Sequence, residues 1–140
     1  MENKYYVPDI TEFREGFEYE LKMDDNWYPM SSPFYPLVNN SGLEYRVKVL
    51  NKEDIESFGF TLVKEYSDEL VFQINNGEYC FYKLTLNIDD NKVNIEQGCQ
   101  SKMLAKKLPI EQWNYFNIFF GEIKNKSELQ QVLKMIGVIE

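Results

Sequence analysis

The chain has 140 residues, of which 44% are hydrophobic and 16% aromatic, and its formal net charge is −8. This length and composition predict one folded domain spanning residues 1–140, with enough apolar surface to form a core. The acidic balance disfavours non-specific nucleic-acid binding, which requires a positive field. Because the sequence contains no histidine, Ser-His-Asp and Cys-His catalysis are excluded and the commonest metal ligand is missing.

The N-terminal residues lack the apolar segment of a signal peptide, and no apolar run reaches the length of a membrane span. We therefore expect a cytoplasmic protein. Cys80 and Cys99 have no metal-site spacing and no histidine partners. Cys80 falls on the apolar side of its segment, which predicts a small core residue, and Cys99 is expected to be exposed. A disulfide between the two remains open.

The first segment after the N-terminus begins with a helical turn. Asp9 is a candidate cap, Glu12 stands three residues later as in a capping box, and Gly16 ends the turn. Residues 17–23 then alternate in polarity, which predicts a strand. The inward side of that strand is expected to hold Phe17, Tyr19, Leu21 and Met23.

The polar residues 24–26 indicate a turn. We expect Trp27 and Tyr28 to lie at an edge of the sheet or to form a lid over the core. A proline-containing loop follows over residues 31–42. Loops of this length are often functional. Residues 43–50 alternate again and predict a strand. A short helix over residues 52–58 is predicted next, with Asn51 as its cap and Asp54 at the third position.

The central segment, residues 60–96, predicts a series of antiparallel strands. Asn75-Asn76-Gly77 is the strongest turn signal in the chain, because Asn and Gly tolerate the positive φ of tight hairpins. Residues 78–88 alternate, and residues 89–91 predict a second turn. One side of the alternating segment contains Cys80, Tyr82, Leu84, Leu86 and Ile88.

The C-terminal part predicts one more strand and a helix. Residues 103–108 are ambiguous between strand and helix, residues 110–114 predict a turn or short helix, and residues 116–123 predict a strand. The final helix is expected to start at a Ser127 cap with Gln130 completing a capping box, and to end at Gly137. The predicted fold class is α+β: an antiparallel β-meander sheet of five to seven strands, short helical turns, and the C-terminal helix packed on one face of the sheet.

One short pattern indicates a possible enzyme. Asp9, Glu20 and Lys22 match the PD…ExK pattern of a nuclease fold, in which two acids hold Mg²⁺ and the lysine assists water. The pattern is short and common by chance, Asp9 is expected at a helix cap, and no basic platform for DNA lies beside it. We expect a non-enzymatic protein with no cofactor and no metal.

Two groups of residues are candidates for binding. The aromatic residues of the segment before the meander lie outside alternating strands, where core packing does not obviously require them, and such residues are enriched at protein interfaces. Tyr5 and Tyr6 near the N-terminus are candidates for the same reason, and the predicted site consists of Trp27, Tyr28, Phe34 and Tyr35. The alternative is an aromatic core with ordinary surface tyrosines.

The second group is basic. Residues 99–140 contain 6 basic and 4 acidic residues, whereas residues 1–60 contain 6 basic and 12 acidic residues. The C-terminal lysines are either a solvated face or an anion-binding patch. The candidates for a patch are Lys102, Lys106 and Lys107.

Three segments, residues 8–20, 46–60 and 120–138, together resemble a family of short uncharacterised proteins of gut bacteriophages and prophages, mostly of Bacteroides-type hosts. The similarity covers about a third of the chain, and residues 27–42 depart from the pattern. The family has no catalytic motif, so the resemblance implies no site residues. It implies a phage accessory protein that is made in the cytoplasm of a bacterial host and acts by binding.

Three hypotheses follow. The first is a non-enzymatic protein that binds a host or phage protein or associates with itself, without membrane or nucleic-acid partners. The second is a protein that binds or sequesters a small anionic ligand such as a nucleotide. The third is a Mg²⁺-dependent nuclease.

Overall fold

The computed structural model describes residues 3–13, 16–31, 44–75, 77, 79–100, 107, 109 and 114–139. Nine strands form two antiparallel sheets in this part of the chain. The elements, in chain order, are β1 (Tyr5–Tyr6), a 3₁₀ turn (Ile10–Glu12), β2 (Glu18–Met23), β3 (Asn26–Ser31), β4 (Glu44–Lys48), α1 (Lys52–Glu56), β5 (Thr61–Glu65), β6 (Glu69–Asn75), β7 (Cys80–Asn87), β8 (Lys92–Cys99), β9 (Asn114–Glu122) and α2 (Lys126–Met135).

The first sheet has four strands in the order β1-β4-β2-β3. The strand predicted over residues 17–23 is confirmed, and its apolar side packs with Phe13 and Val47 in a small aromatic core. The prediction that Met23 points into this core is wrong. Met23 is exposed because it is the last residue of β2 and pairs with Asn26 at the end of the hairpin. The hairpin turn is made by Asp24 and Asp25, which both have positive φ.

Helix α1 confirms the predicted cap. The Asn51 side chain accepts a hydrogen bond from the Asp54 backbone N–H at 3.0 Å, and the Asp54 side chain accepts one from the Asn51 N–H at 3.3 Å. This reciprocal arrangement satisfies two backbone donors that a short helix would otherwise leave unpaired. Asp54 is buried, and its charge is balanced by Lys48 at 2.7 Å.

The second sheet has five strands, β5 to β9, which pair in sequence order. It is therefore the predicted meander, extended by β9. Its inner face and α2 share one core, in which Leu129 and Leu133 of the helix are fully buried together with Phe72 and Leu84 of the sheet. The predicted α+β class, with the C-terminal helix packed on one face of an antiparallel sheet, is confirmed.

The prediction of one sheet with five to seven strands is wrong. The first four strands pair among themselves, and α1 separates them from the meander in the order of the chain. The alternation of each strand indicates that it has two different faces but does not indicate which strand pairs with which. Hydrogen bonds join the two parts, among them Leu50 N–H to Lys124 O at 2.9 Å.

Helix α2 begins earlier than the sequence indicated. The cap is Asn125, whose side chain accepts from the Glu128 N–H at 2.9 Å, and not Ser127. The Ser127 hydroxyl instead accepts a hydrogen bond from the backbone N–H of Glu18, 109 residues away. Gly137 terminates the helix as predicted: it follows the C-cap Ile136, and its φ is +80°.

Cys80 and Cys99 form a disulfide between register partners on β7 and β8, with 4.2 Å between their Cα atoms. The prediction that Cys80 is a core residue is wrong, since it lies half-buried at the end of its strand. Ile88, which shares the alternating side with Cys80, is exposed because it falls in the turn after β7.

The strand predicted over residues 116–123 is confirmed as β9. Apart from Lys107, the residues of the predicted segment 103–108 lie outside the described residues, as do residues 110–113 and Asn76. No helix in the described part of the chain is long and apolar enough to span a bilayer. That the whole chain is one domain stays a prediction.

Candidate interaction surfaces

The predicted aromatic site is only partly within the described residues. Trp27 and Tyr28 lie on β3, an edge strand of the first sheet, as predicted for an edge. Successive residues of a strand point to opposite faces, so the two rings do not form one surface. Phe34 and Tyr35 lie outside the described residues.

Trp27 has a structural partner. The Arg46 guanidinium is stacked between two rings, 4.2 Å from the centroid of Trp27 and 3.7 Å from that of Tyr5. Its Nε also donates to Glu20 at 2.7 Å. A planar cation between two aromatic faces is favoured electrostatically and packs tightly. The stack and the Glu20 pair connect all four strands of the first sheet across its polar face. Some of the aromatic residues therefore have a structural role.

Of the predicted lysine patch, Lys107 is exposed. Lys102 and Lys106 lie outside the described residues. Two other lysines, Lys64 and Lys83, line a groove of about 630 Å³ on the outer face of the five-stranded sheet, together with Tyr66 and Tyr115. The Lys83 ammonium lies 5.5 Å from the centroid of the Tyr115 ring.

A second groove, of about 640 Å³, lies between the polar face of the first sheet and the start of α2. Its charged lining residues are largely engaged with one another. Glu20 pairs with Arg46, and Lys48 pairs with Asp54. Groups that are already paired have less capacity to bind a charged ligand.

A buried polar network ties β1 to α2. The Tyr6 hydroxyl donates to Glu12 at 2.7 Å and accepts from the Asn125 side chain at 2.7 Å. Burial is the main cause that raises the pKa of Tyr6 well above its ordinary value, and the hydrogen bond to Glu12 adds to it. Tyr6 is therefore a neutral hydrogen-bonding group at physiological pH, and its position in the network is structural.

The three residues of the nuclease pattern are not gathered into one site. Glu20 is held by Arg46 and Lys22 by Glu44. Asp9 accepts from the Thr11 N–H and lines a different groove from Glu20. Among residues with described positions, no group of three or more Asp, Glu, Cys or His side chains is arranged to hold a metal ion.

The most unusual surface is the edge strand β9, which sequence reasoning treated only as a strand. Among the described strands, β9 pairs with β8 alone. Its exposed side chains include Phe116 at 61%, Ile118 at 40% and Phe120 at 64%. Residues 114–121 contain no charge. The absence of charge over a run with alternate apolar residues was a signal available in the sequence.

The other edge strands are protected in recognised ways. β1 has two residues, β3 contains Pro29, and β5 contains Lys64 and Glu65. Short length, proline and charge each discourage pairing with a further strand. β9 has nine residues and none of these features before Glu122 at its end.

No known protein family, curated protein or solved structure matches this chain.

Proposed function

We propose that this chain is a binding protein that acts through the edge of β9 that pairs with none of the described strands, where a strand of another polypeptide extends the five-stranded sheet. The setting implied by the family resemblance, a phage accessory protein in a bacterial host, belongs to the same proposal. The observation that supports it is the contrast between β9, which is long, uncharged over residues 114–121 and apolar, and the other edge strands, which are short, contain proline or are charged.

An edge strand offers a row of backbone N–H and C=O groups, which give an added strand its affinity, while alternate side chains give specificity. Exposed Phe116 and Phe120 supply apolar area on the two sides of the edge. Water-exposed Phe side chains of this kind are unfavourable unless a partner covers them, because each can bury up to about 150–250 Å².

Photo-crosslinking tests the proposal directly. A benzoylphenylalanine at position 120 should form covalent protein adducts when the chain is expressed in bacterial cells, and mass spectrometry then identifies the adduct. The same amino acid at position 66 is the matched control, because Tyr66 is also an exposed aromatic residue at 51%. Adducts at position 120 and none at position 66 support the proposal. Equal adducts at both positions, or none at 120, would contradict it.

A second candidate function is the binding of a small anionic ligand in the outer groove of the five-stranded sheet. Lys64 and Lys83 lie there beside aromatic rings, and the volume of about 630 Å³ is in the range of ligand pockets. Asp68 and Glu69 line the same groove and would oppose an anion. A saturating nucleotide should then raise the melting temperature by several degrees, and Lys83→Met should remove that shift. An unchanged melting temperature across a nucleotide panel would eliminate this function.

A further inference from the structure

The register of β9 with β8 sets which way each β9 side chain points, because opposite residues of an antiparallel ladder share a face. Phe119 lies opposite the core residue Ile95, and Phe120 lies opposite Asn94 on the outer face. Nearer the start of the strand the assignment is different. Phe116 lies opposite Gln97 and points to the core side, whereas Tyr115 lies opposite Gly98 and points to the outer side.

A β-bulge causes this change. The register shifts between Ile95 and Glu96 of β8, which pair with Phe119 and Asn117, so Ile118 has no register partner on β8. A bulge inserts one extra residue and reverses the alternation beyond it. The two halves of β9 therefore alternate out of phase. A regular strand added to this edge of β9 could match the faces of one half only.

We infer that the strand added at the edge of β9 is β9 of a second copy of this chain, in an antiparallel two-fold pair. This inference rests on the proposed function and names its partner. A second copy has a bulge at the symmetric position, so the two phase changes compensate each other. The joined sheet would have ten strands, five from each copy.

In two registers, the core-side residues of one copy lie opposite core-side residues of the other copy along the whole strand, on both sides of the bulges. In one, the two-fold axis passes between Asn117 and Ile118, and in the other it passes between Ile118 and Phe119. The first places Tyr115 opposite the second copy's Phe120 on the outer side. It also places Phe116 opposite the second copy's Phe119 on the core side.

The first register is favoured because aromatic pairs are among the most stabilising cross-strand neighbours. The second register would instead place the rings opposite Asn117, Ile118, Gly121 and Glu122. We therefore assign the axis to the position between Asn117 and Ile118.

The lack of charge on β9 makes this edge the least unfavourable contact for a second copy. Two chains that each have a net charge of −8 repel each other, and an uncharged contact adds no local repulsion to that. The ladder of the favoured register runs from Asn114 to Gly121 and contains no charged side chain. Salt should strengthen the pair, because it screens the repulsion between the acidic bodies.

The size of the contact sets its expected strength. In the favoured register, eight residues of each strand meet over a length of about 26 Å. Such a contact falls below the roughly 1,200–2,000 Å² of stable complexes and belongs with weak, transient ones. We expect a dissociation constant of about micromolar or weaker.

Sedimentation equilibrium of the purified chain and its variants tests the inference. The wild type should change from monomer to dimer with rising concentration, and the dimer should tighten at high salt. Ile118→Glu should weaken dimerisation at least about tenfold, because it brings two buried like charges near the axis. Adding Asn117→Lys to Ile118→Glu should restore it, since each lysine then lies opposite a glutamate of the other copy.

The matched control adds the same charge on the opposite edge of the sheet, as Thr61→Lys with Ile118→Glu, and should leave the variant monomeric. Thr61 is exposed on β5. Each double variant replaces one neutral residue by lysine, so both have the same net charge. Equal rescue by Thr61→Lys would overturn the assigned register, and a dimer that survives Ile118→Glu would overturn the assigned surface.

The outcomes also separate this inference from the proposed function. A wild type that stays monomeric at every concentration overturns self-association. If position 120 then still forms adducts with a different protein in cells, binding through β9 stands with another partner. If position 120 forms no adducts at all, the proposed function fails as well.

Discussion

Arg46 illustrates how single residues on the polar face of the first sheet serve structure. Its guanidinium lies between Tyr5 and Trp27 and is paired with Glu20. The alternation of β4 indicates only that Arg46 faces away from the core. The two rings come from strands that are distant in sequence. Predicting the stack therefore requires knowledge of the strand order, and the sequence alone indicates a binding role for Trp27.

Replacing Arg46 by Lys should cost about 1 kcal/mol of stability. The ammonium retains the charge but not the planar shape that fits between two rings. Urea unfolding measures the loss. A double-mutant cycle with Trp27→Leu is the control, because the two changes should be less than additive if the stack is the cause. Additive losses would show that Arg46 acts through Glu20 alone.

Tyr6→Phe should destabilise the protein by about 1–3 kcal/mol, because it leaves the buried amide of Asn125 without its acceptor. Denaturant unfolding at neutral pH measures this effect. Tyr66→Phe is the control, since Tyr66 is exposed and should tolerate the change. Equal stability of the wild type and Tyr6→Phe would contradict a structural role for the network.

The same variant should change the response to alkaline pH. The pKa of Tyr6 is raised in the folded protein, mainly by burial, so the unfolded chain releases the Tyr6 proton first, near pH 10. The stabilising contribution is complete below pH 10 and is lost as pH rises above it. Tyr6→Phe should therefore lose less stability between pH 8 and pH 11. Part of the loss should remain, because burial also raises the pKa of Tyr19.

At the scale of elements, sequence patterns were sufficient for most strands and for the cap of α1. A two-residue period and a capping box are local properties, and both were readable without knowledge of the fold. The cap of α2 was misplaced at Ser127 because Asn125 and Ser127 are both good capping residues. The choice between them depended on Tyr6 and Glu18, which are far away in sequence.

The disulfide joins the start of β7 to the end of β8, at the open end of their hairpin. It closes a loop with a sequence separation of 19 residues. Replacing both cysteines by Ala should lower the stability of the oxidised protein by about 2–4 kcal/mol. Adding a reductant should produce the same loss in the wild type and none in the double variant. If the oxidised and reduced wild type unfold at the same urea concentration, the bridge contributes nothing. A reducing cytoplasm would keep the pair as thiols, so the predicted location stays a prediction.

Gly98 on β8 is a position where the close approach of Phe81 requires glycine. A Cβ at this position would lie 2.7 Å from the ring of Phe81, which is itself buried. Gly98→Ala should therefore cost about 1–3 kcal/mol. Gly98→Ala combined with Phe81→Leu should recover part of the loss by making room, and thermal unfolding compares the two. A neutral Gly98→Ala would show that the Phe81 ring, or β7 with it, can shift away from β8 at this point.

At the scale of the whole molecule, the sequence was sufficient to predict the α+β class but not the division into two sheets. Pairing between strands is non-local, and alternation does not encode it. The proposed binding surface is not predicted from the sequence for a related reason. An uncharged apolar strand is typical of a sheet centre, and only the strand order shows that β9 lies at an edge. The bulge at Ile118, from which we infer pairing with a second copy, is a property of the register alone.

Hydrogen–deuterium exchange of the β9 amides tests the central claim most directly. The amides of residues 116–121 that do not bond to β8 should exchange rapidly in dilute protein and become protected as the concentration rises through the dissociation constant. In Ile118→Glu they should exchange rapidly at every concentration. Rapid exchange of these amides in the wild type at all concentrations would contradict the account.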